Sequence, residues 1–89
     1  MISTVDYIKF KKRLQKEYKG ARVHIEFKGI IDTKIIIDKA KIIINPHKLI
    51  IANDEQDFSM EFLLVKKIKF EDMFYIEIIY PDFKIILTV

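Results

Sequence analysis

The chain contains no cysteine, which removes disulfide cross-links, thiolate nucleophiles and zinc–thiolate sites together. Glycine is nearly absent too. With Gly20 and Gly29 alone, no glycine-rich loop can bring successive backbone N–H groups onto a phosphate. Tryptophan is missing, and arginine is reduced to Arg13 and Arg22 beside 14 lysines. Arginine makes the bidentate contacts that specific nucleic-acid recognition favours, so its scarcity weighs against such readout. No apolar run is longer than Phe62-Leu63-Leu64-Val65, far short of the roughly 20 residues that span a bilayer as a helix, and no membrane partner is expected. Met1 to Asp6 carry an acid where a secretory leader would carry basic and then apolar residues. No leader is expected, and the cytoplasm is the expected location.

What is present points to strand. Isoleucine fills 19 of the 89 positions, and β-branched side chains suit pleated, half-buried surfaces. A hydrophobic fraction of 51% beside 33% charged residues excludes disorder. A chain of this length buries about 65% of its unfolded surface, enough for a thin core. One domain over residues 1–89 is expected.

The first element reads as a helix over 4–19. Ser3 followed by Asp6 has capping-box spacing, with Asp replacing the usual Glu or Gln. Tyr7, Phe10, Leu14 and Tyr18 fall within about 80° of one another and make one apolar stripe. Lys9, Lys12, Arg13, Lys16 and Lys19 lie opposite. Gly20 suits the left-handed position that ends a helix.

Beyond Gly20 the pattern is a β-meander over 21–89. Val23, Ile25 and Phe27 alternate with polar neighbours. Strands follow over 30–37, 40–45 and 48–53, with turns at Asp38-Lys39 and at Asn45-Pro46-His47-Lys48. A polar loop covers 53–57. One long strand is then expected from Phe58 to Phe70, bent near Leu63–Lys66. Glu71-Asp72 and Pro81-Asp82 turn the last two strands, and Phe83 to Val89 is expected to leave an open sheet edge unless a closed barrel pairs it. The expected fold is mainly β, with one N-terminal amphipathic helix packed on six or seven antiparallel strands in a small barrel or barrel-like curved sheet. Ile35-Ile36-Ile37, Ile42-Ile43-Ile44, Leu49-Ile50-Ile51 and Ile76 through Ile79 are apolar on both parities. Such strands need cover on both faces.

Candidate chemistry is sparse. His24 and Glu26 share a strand face at a spacing a metal site could use, yet an ordinary exposed face explains them. His47 falls in a proline turn. Asp54, Glu55 and Asp57 offer carboxylates in a loop without the glycine a calcium loop needs. No nucleophile, base and orienting group stand at a recognisable spacing. Neither catalysis nor any cofactor or metal is expected. Charge is more telling, with +4 over residues 1–20, +3 over 21–53 and −4 over 54–89. Such polarity can direct complementary contacts.

The order of a helix followed by a short-turned β-meander resembles the Sm-like barrels that bind RNA as rings. Ile30-Ile31-Asp32 and Val65-Lys66-Lys67-Ile68 lack the glycines of that family's two motifs, so the resemblance stops at element order. The expected function is a non-catalytic protein-interaction or assembly module, in the manner of a small inhibitor or accessory protein of a phage or mobile element. Its expected partner is protein, itself included, most simply as a homodimer. The alternative is a small nucleic-acid-binding barrel using Lys9, Lys12, Arg13, Lys16 and Lys19.

Overall fold

The computed structural model describes residues 2–89, so Met1, which begins the stretch where no leader is expected, lies outside the described residues. Ser3 starts the helix as its spacing predicts, its Oγ accepting the Asp6 N–H at 3.1 Å. The helix α1 spans Thr4–Arg13 and continues into one wider turn, Leu14–Tyr18. Lys19 N–H closes that turn on the Leu14 carbonyl at 2.9 Å. This i→i+5 bond is a π-helical register, where the sequence predicts a uniform helix to residue 19. Tyr18 is held there from outside the helix, its buried hydroxyl donating to the Leu87 carbonyl at 3.1 Å. Gly20 then takes φ +79°, the left-handed conformation expected of it. Gly20 N–H donates to the Ala40 carbonyl, and Ala40 N–H donates to that of Ala21.

Eight strands follow: β1 Val23–Lys28, β2 Thr33–Ile37, β3 Lys41–Ile44, β4 Lys48–Ala52, β5 Asp57–Glu61, β6 Lys67–Asp72, β7 Tyr75–Ile79 and β8 Lys84–Thr88. All pair antiparallel, in a five-stranded sheet of order β2-β1-β8-β7-β6 and a three-stranded sheet of order β3-β4-β5. The curved-sheet form of the expected fold is the one found, and no barrel closes. The strands number eight rather than six or seven, and four local expectations are corrected. The single strand over 58–70 is two strands in different sheets, because the chain turns at Phe62–Val65 and changes layer. Residues 30–32 lie in a bend and short loop outside β2, while Glu71 and Asp72 extend β6 and leave the turn to Met73-Phe74. Most consequentially, β8 lies between β1 and β7, so the final strand presents no open edge.

Asparagine chemistry sets two of the turns. Asn45 Oδ1 accepts the N–H groups of His47 and Lys48, and Asn53 Oδ1 accepts those of Glu55 and Gln56. These are local side-chain bonds that stand in for the ladder.

The helix stripe, the inner face of each sheet and the Phe62–Val65 turn share one apolar core. Phe10, Leu14 and Tyr18 are fully buried there, and Tyr7 is half-buried. Phe10 meets Phe62 and Phe70 edge-on, with centroids 5.9 and 6.4 Å apart. Strands apolar on both parities find unequal cover on their outer faces. Ile86 is buried in the middle strand between Glu26 and Glu77, its cross-strand neighbours. Glu77 is itself buried and bonded to Lys84 Nζ at 2.7 Å, a contact that pushes the Lys84 ammonium pKa upward. Ile36 and Ile43 stay exposed. No helix among the described residues is long and apolar enough to cross a membrane.

Candidate functional site

The five basic residues of the helix divide into two kinds. Lys9 Nζ stands 4.6 Å from the centre of the Phe70 ring, and the Arg13 guanidinium lies 5.7 Å from the same ring. Arg13 Nη1 also donates to the Asp72 carbonyl at 2.5 Å. Both cations are thus engaged with β6, Lys9 by cation–π contact and Arg13 by cation–π contact and a hydrogen bond. Lys12, Lys16 and Lys19 are exposed. Lys9, Lys12, Arg13 and Lys16 line one shallow depression with Glu17 and Met73.

The other sequence candidates stay apart. Glu26 bonds Lys28 at 3.0 Å beside half-buried His24. Exposed His47 has its backbone N–H, rather than its ring, in the Asn45 turn. Asp54 reaches Lys41 at 3.7 Å, and Asp57 stands on β5. Among the described residues no three His, Asp or Glu side chains gather as a metal would require.

A different place carries an exposed apolar surface. At the turn between the two sheets, Val65 N–H bonds the Phe62 carbonyl at 3.1 Å, closing a four-residue β-turn. Phe62 and Val65 are buried in the core, and the two central residues are leucines, Leu63 68% and Leu64 65% exposed. Turn centres normally take Gly, Pro, Asn, Asp or Ser. A pair of leucines there satisfies no need of the turn itself.

Beside this tip runs a groove of about 340 Å³, lined by Ser59, Met60 and Glu61 of β5, by Leu63 and Leu64, and by Tyr80 and Phe83. Tyr80 and Phe83 stack at 4.5 Å between centroids. Tyr80 N–H donates to the Phe83 carbonyl, closing the turn that joins β7 to β8. The Tyr80 hydroxyl reaches across the groove and donates to the Glu61 carbonyl at 2.7 Å. Burial of the phenol, with the Glu61 carboxylate nearby, pushes its pKa up to about 12. Gly29 lies against Phe83 so closely that a Cβ there would stand 3.0 Å from that of Phe83, so the absence of a side chain lets this loop pack against Phe83. Exposed Ile30 and Ile31 follow on the same loop. The groove is therefore a wall of aromatic and aliphatic carbon with Glu61 as its charged lining residue.

Sequence reasoning assigns Leu64 to the core parity of a long strand and does not isolate this groove. The available signal is Leu63-Leu64-Val65, where apolar residues occupy both parities and alternation fails. A scan against models of protein families and searches among curated proteins and solved structures found no match.

Proposed function

We propose that the chain is a non-catalytic protein-interaction module and that the groove beside Leu63 and Leu64 is its contact surface. The observation supporting this is the pair of exposed leucines at a turn tip, next to the stacked Tyr80 and Phe83. Burying a leucine is worth about 1.5–3 kcal/mol, a gain the isolated fold forgoes twice at neighbouring positions. Exposed apolar clusters rimmed by polar residues commonly mark binding surfaces. Tyrosine and phenylalanine are also enriched at interface centres. A role as a small inhibitor or accessory protein fits such a surface.

The test compares the wild-type chain with a Leu63→Lys, Leu64→Lys double variant as bait in extract of the native host. Both positions are exposed, so the variant should fold, as circular dichroism would verify. Proteins captured by the wild type should be lost with the variant. An unchanged set would remove the groove from the interaction.

A second reading, binding to nucleic acid, is favoured by the four helix cations that line one depression. It expects nucleic acid to co-purify at low salt and to be shed at high salt. An absorbance ratio of 260 to 280 nm typical of pure protein, before any salt wash, counts against it.

A further inference from the structure

Resting on the protein-binding reading, we infer that β5 receives an extended segment of a different protein as an added strand, with basic residues flanking an apolar stretch. The backbone phase of β5 is fixed at both ends. Phe62 N–H bonds the His47 carbonyl and Asn53 N–H bonds that of Gln56, each at 2.9 Å. The register between them runs from Lys48 opposite Glu61 to Ala52 opposite Asp57. In an antiparallel ladder, successive residues turn their backbone groups alternately to one side and the other. Residues 56, 58, 60 and 62 therefore face β4, while Asp57, Ser59 and Glu61 face away from it. Tyr80 agrees with this phase, since its hydroxyl bonds the Glu61 carbonyl, one of those the phase leaves unused by β4.

On that side β5 is the end of its sheet, with no strand paired to it among the described residues. Tyr80 closes the row at the Glu61 carbonyl. The N–H and C=O groups of Asp57 and Ser59 remain directed outward, along the rim of the apolar groove. An edge of this kind is the template for strand addition.

Side chains define the occupant. Asp57, Ser59 and Glu61 share the outer face of β5, since strand side chains alternate. Residues of an added strand opposite Asp57, and beside Glu61 where Tyr80 ends the row, would meet carboxylates, which favours Lys or Arg there. Residues at the alternate positions would face the Met60, Tyr80 and Phe83 side of the groove and are apolar. A second copy of this chain fits poorly. Two-fold pairing about Ser59 would set Asp57 of one copy against Glu61 of the other twice, and like charges directly opposite destabilise a ladder.

The experiment titrates the labelled full chain with a capped Lys-Val-Thr-Val-Lys peptide, following amide shifts by NMR so that weak binding is seen. Shifts should concentrate on Asp57, Ser59 and the groove residues. Methylating the backbone nitrogen of the peptide's Thr should weaken binding by about tenfold, since one hydrogen bond is lost and its acceptor left unpaired. Ser59→Pro should weaken it comparably. Proline is tolerated where an edge strand's N–H points outward, and the methylated peptide leaves the protein untouched should that variant misfold. A Glu-Val-Thr-Val-Glu peptide should bind more weakly than the lysine peptide, and an Asp57→Lys, Glu61→Lys variant should reverse the order.

Equal affinity for the methylated peptide, or no binding by either charged form, would overturn strand addition. If the double-leucine variant still loses its captured proteins in that case, the protein-binding reading stands and only the mode of docking fails. A wild-type dimer in sedimentation that Ser59→Pro dissociates would overturn the different-protein occupant in favour of a second copy.

Discussion

Tyr18 and Tyr80 each donate a phenolic hydrogen bond to a backbone carbonyl far away in sequence, on Leu87 and Glu61 respectively. Burial is the main cause that raises both phenols above their ordinary range. The folded chain therefore keeps these protons at a pH where the unfolded chain has released them. A group with a raised folded pKa contributes stability that is complete below the unfolded value and lost as pH climbs through the folded one. For Tyr80 that window runs from 10.0 to about 12. The urea midpoint should be flat just below this window and fall within it, and Tyr80→Phe should lessen the fall. An identical slope in the variant would assign the alkaline loss to other groups. Tyr18→Phe should cost about 1 kcal/mol at neutral pH, measured in the same titration. Neither bond is legible in the sequence. Tyr18 shows its place on the helix stripe, but Leu87 lies 69 positions away and only the assembled sheet brings it near.

At the scale of elements, what could be read follows from whether the cause is local. The Ser3 cap, the Tyr7-Phe10-Leu14-Tyr18 stripe, the left-handed Gly20 and the asparagine turns each depend on residues within one or two turns of chain. All are legible for that reason. Leu14 is fully buried, and Leu14→Ala should destabilise by about 2–5 kcal/mol in denaturant unfolding. A loss under about 0.5 kcal/mol would mean that the helix contributes little to the core. The break at Phe62–Val65 is only half legible, because apolar residues continue through it and nothing nearby states that the chain changes sheet. The five basic residues of the helix can be read as positions in the sequence. That Lys9 and Arg13 rest on Phe70 depends on where β6 comes to lie, a matter of tertiary pairing. The groove escapes for the same reason, since Leu63-Leu64, Ser59 and the Tyr80–Phe83 turn come from three separate stretches.

For the molecule as a whole, the position of β8 in the middle of the five-stranded sheet determines when folding can occur. Synthesis delivers β1 and β2 early, yet β1 finds its second neighbour only once residues 84–88 exist. His24 pairs with Thr88 and Lys28 with Lys84, so the contacts that join the sheet span most of the chain. Domains rich in such distant contacts fold over milliseconds to seconds, because loop closure must precede the pairing that rewards it. Deleting residues 84–89 should therefore leave an aggregating chain without cooperative unfolding, as scattering and thermal melting would show. A soluble, cooperatively melting truncation would contradict the central role given to this strand. Until β8 arrives, β1 and β7 are both unpaired on one side, and their Ile25, Ile76 and Ile78 have no finished core to enter. During translation the nascent chain is thus an aggregation-prone intermediate, and its safety depends on how quickly the last strand is made and inserted.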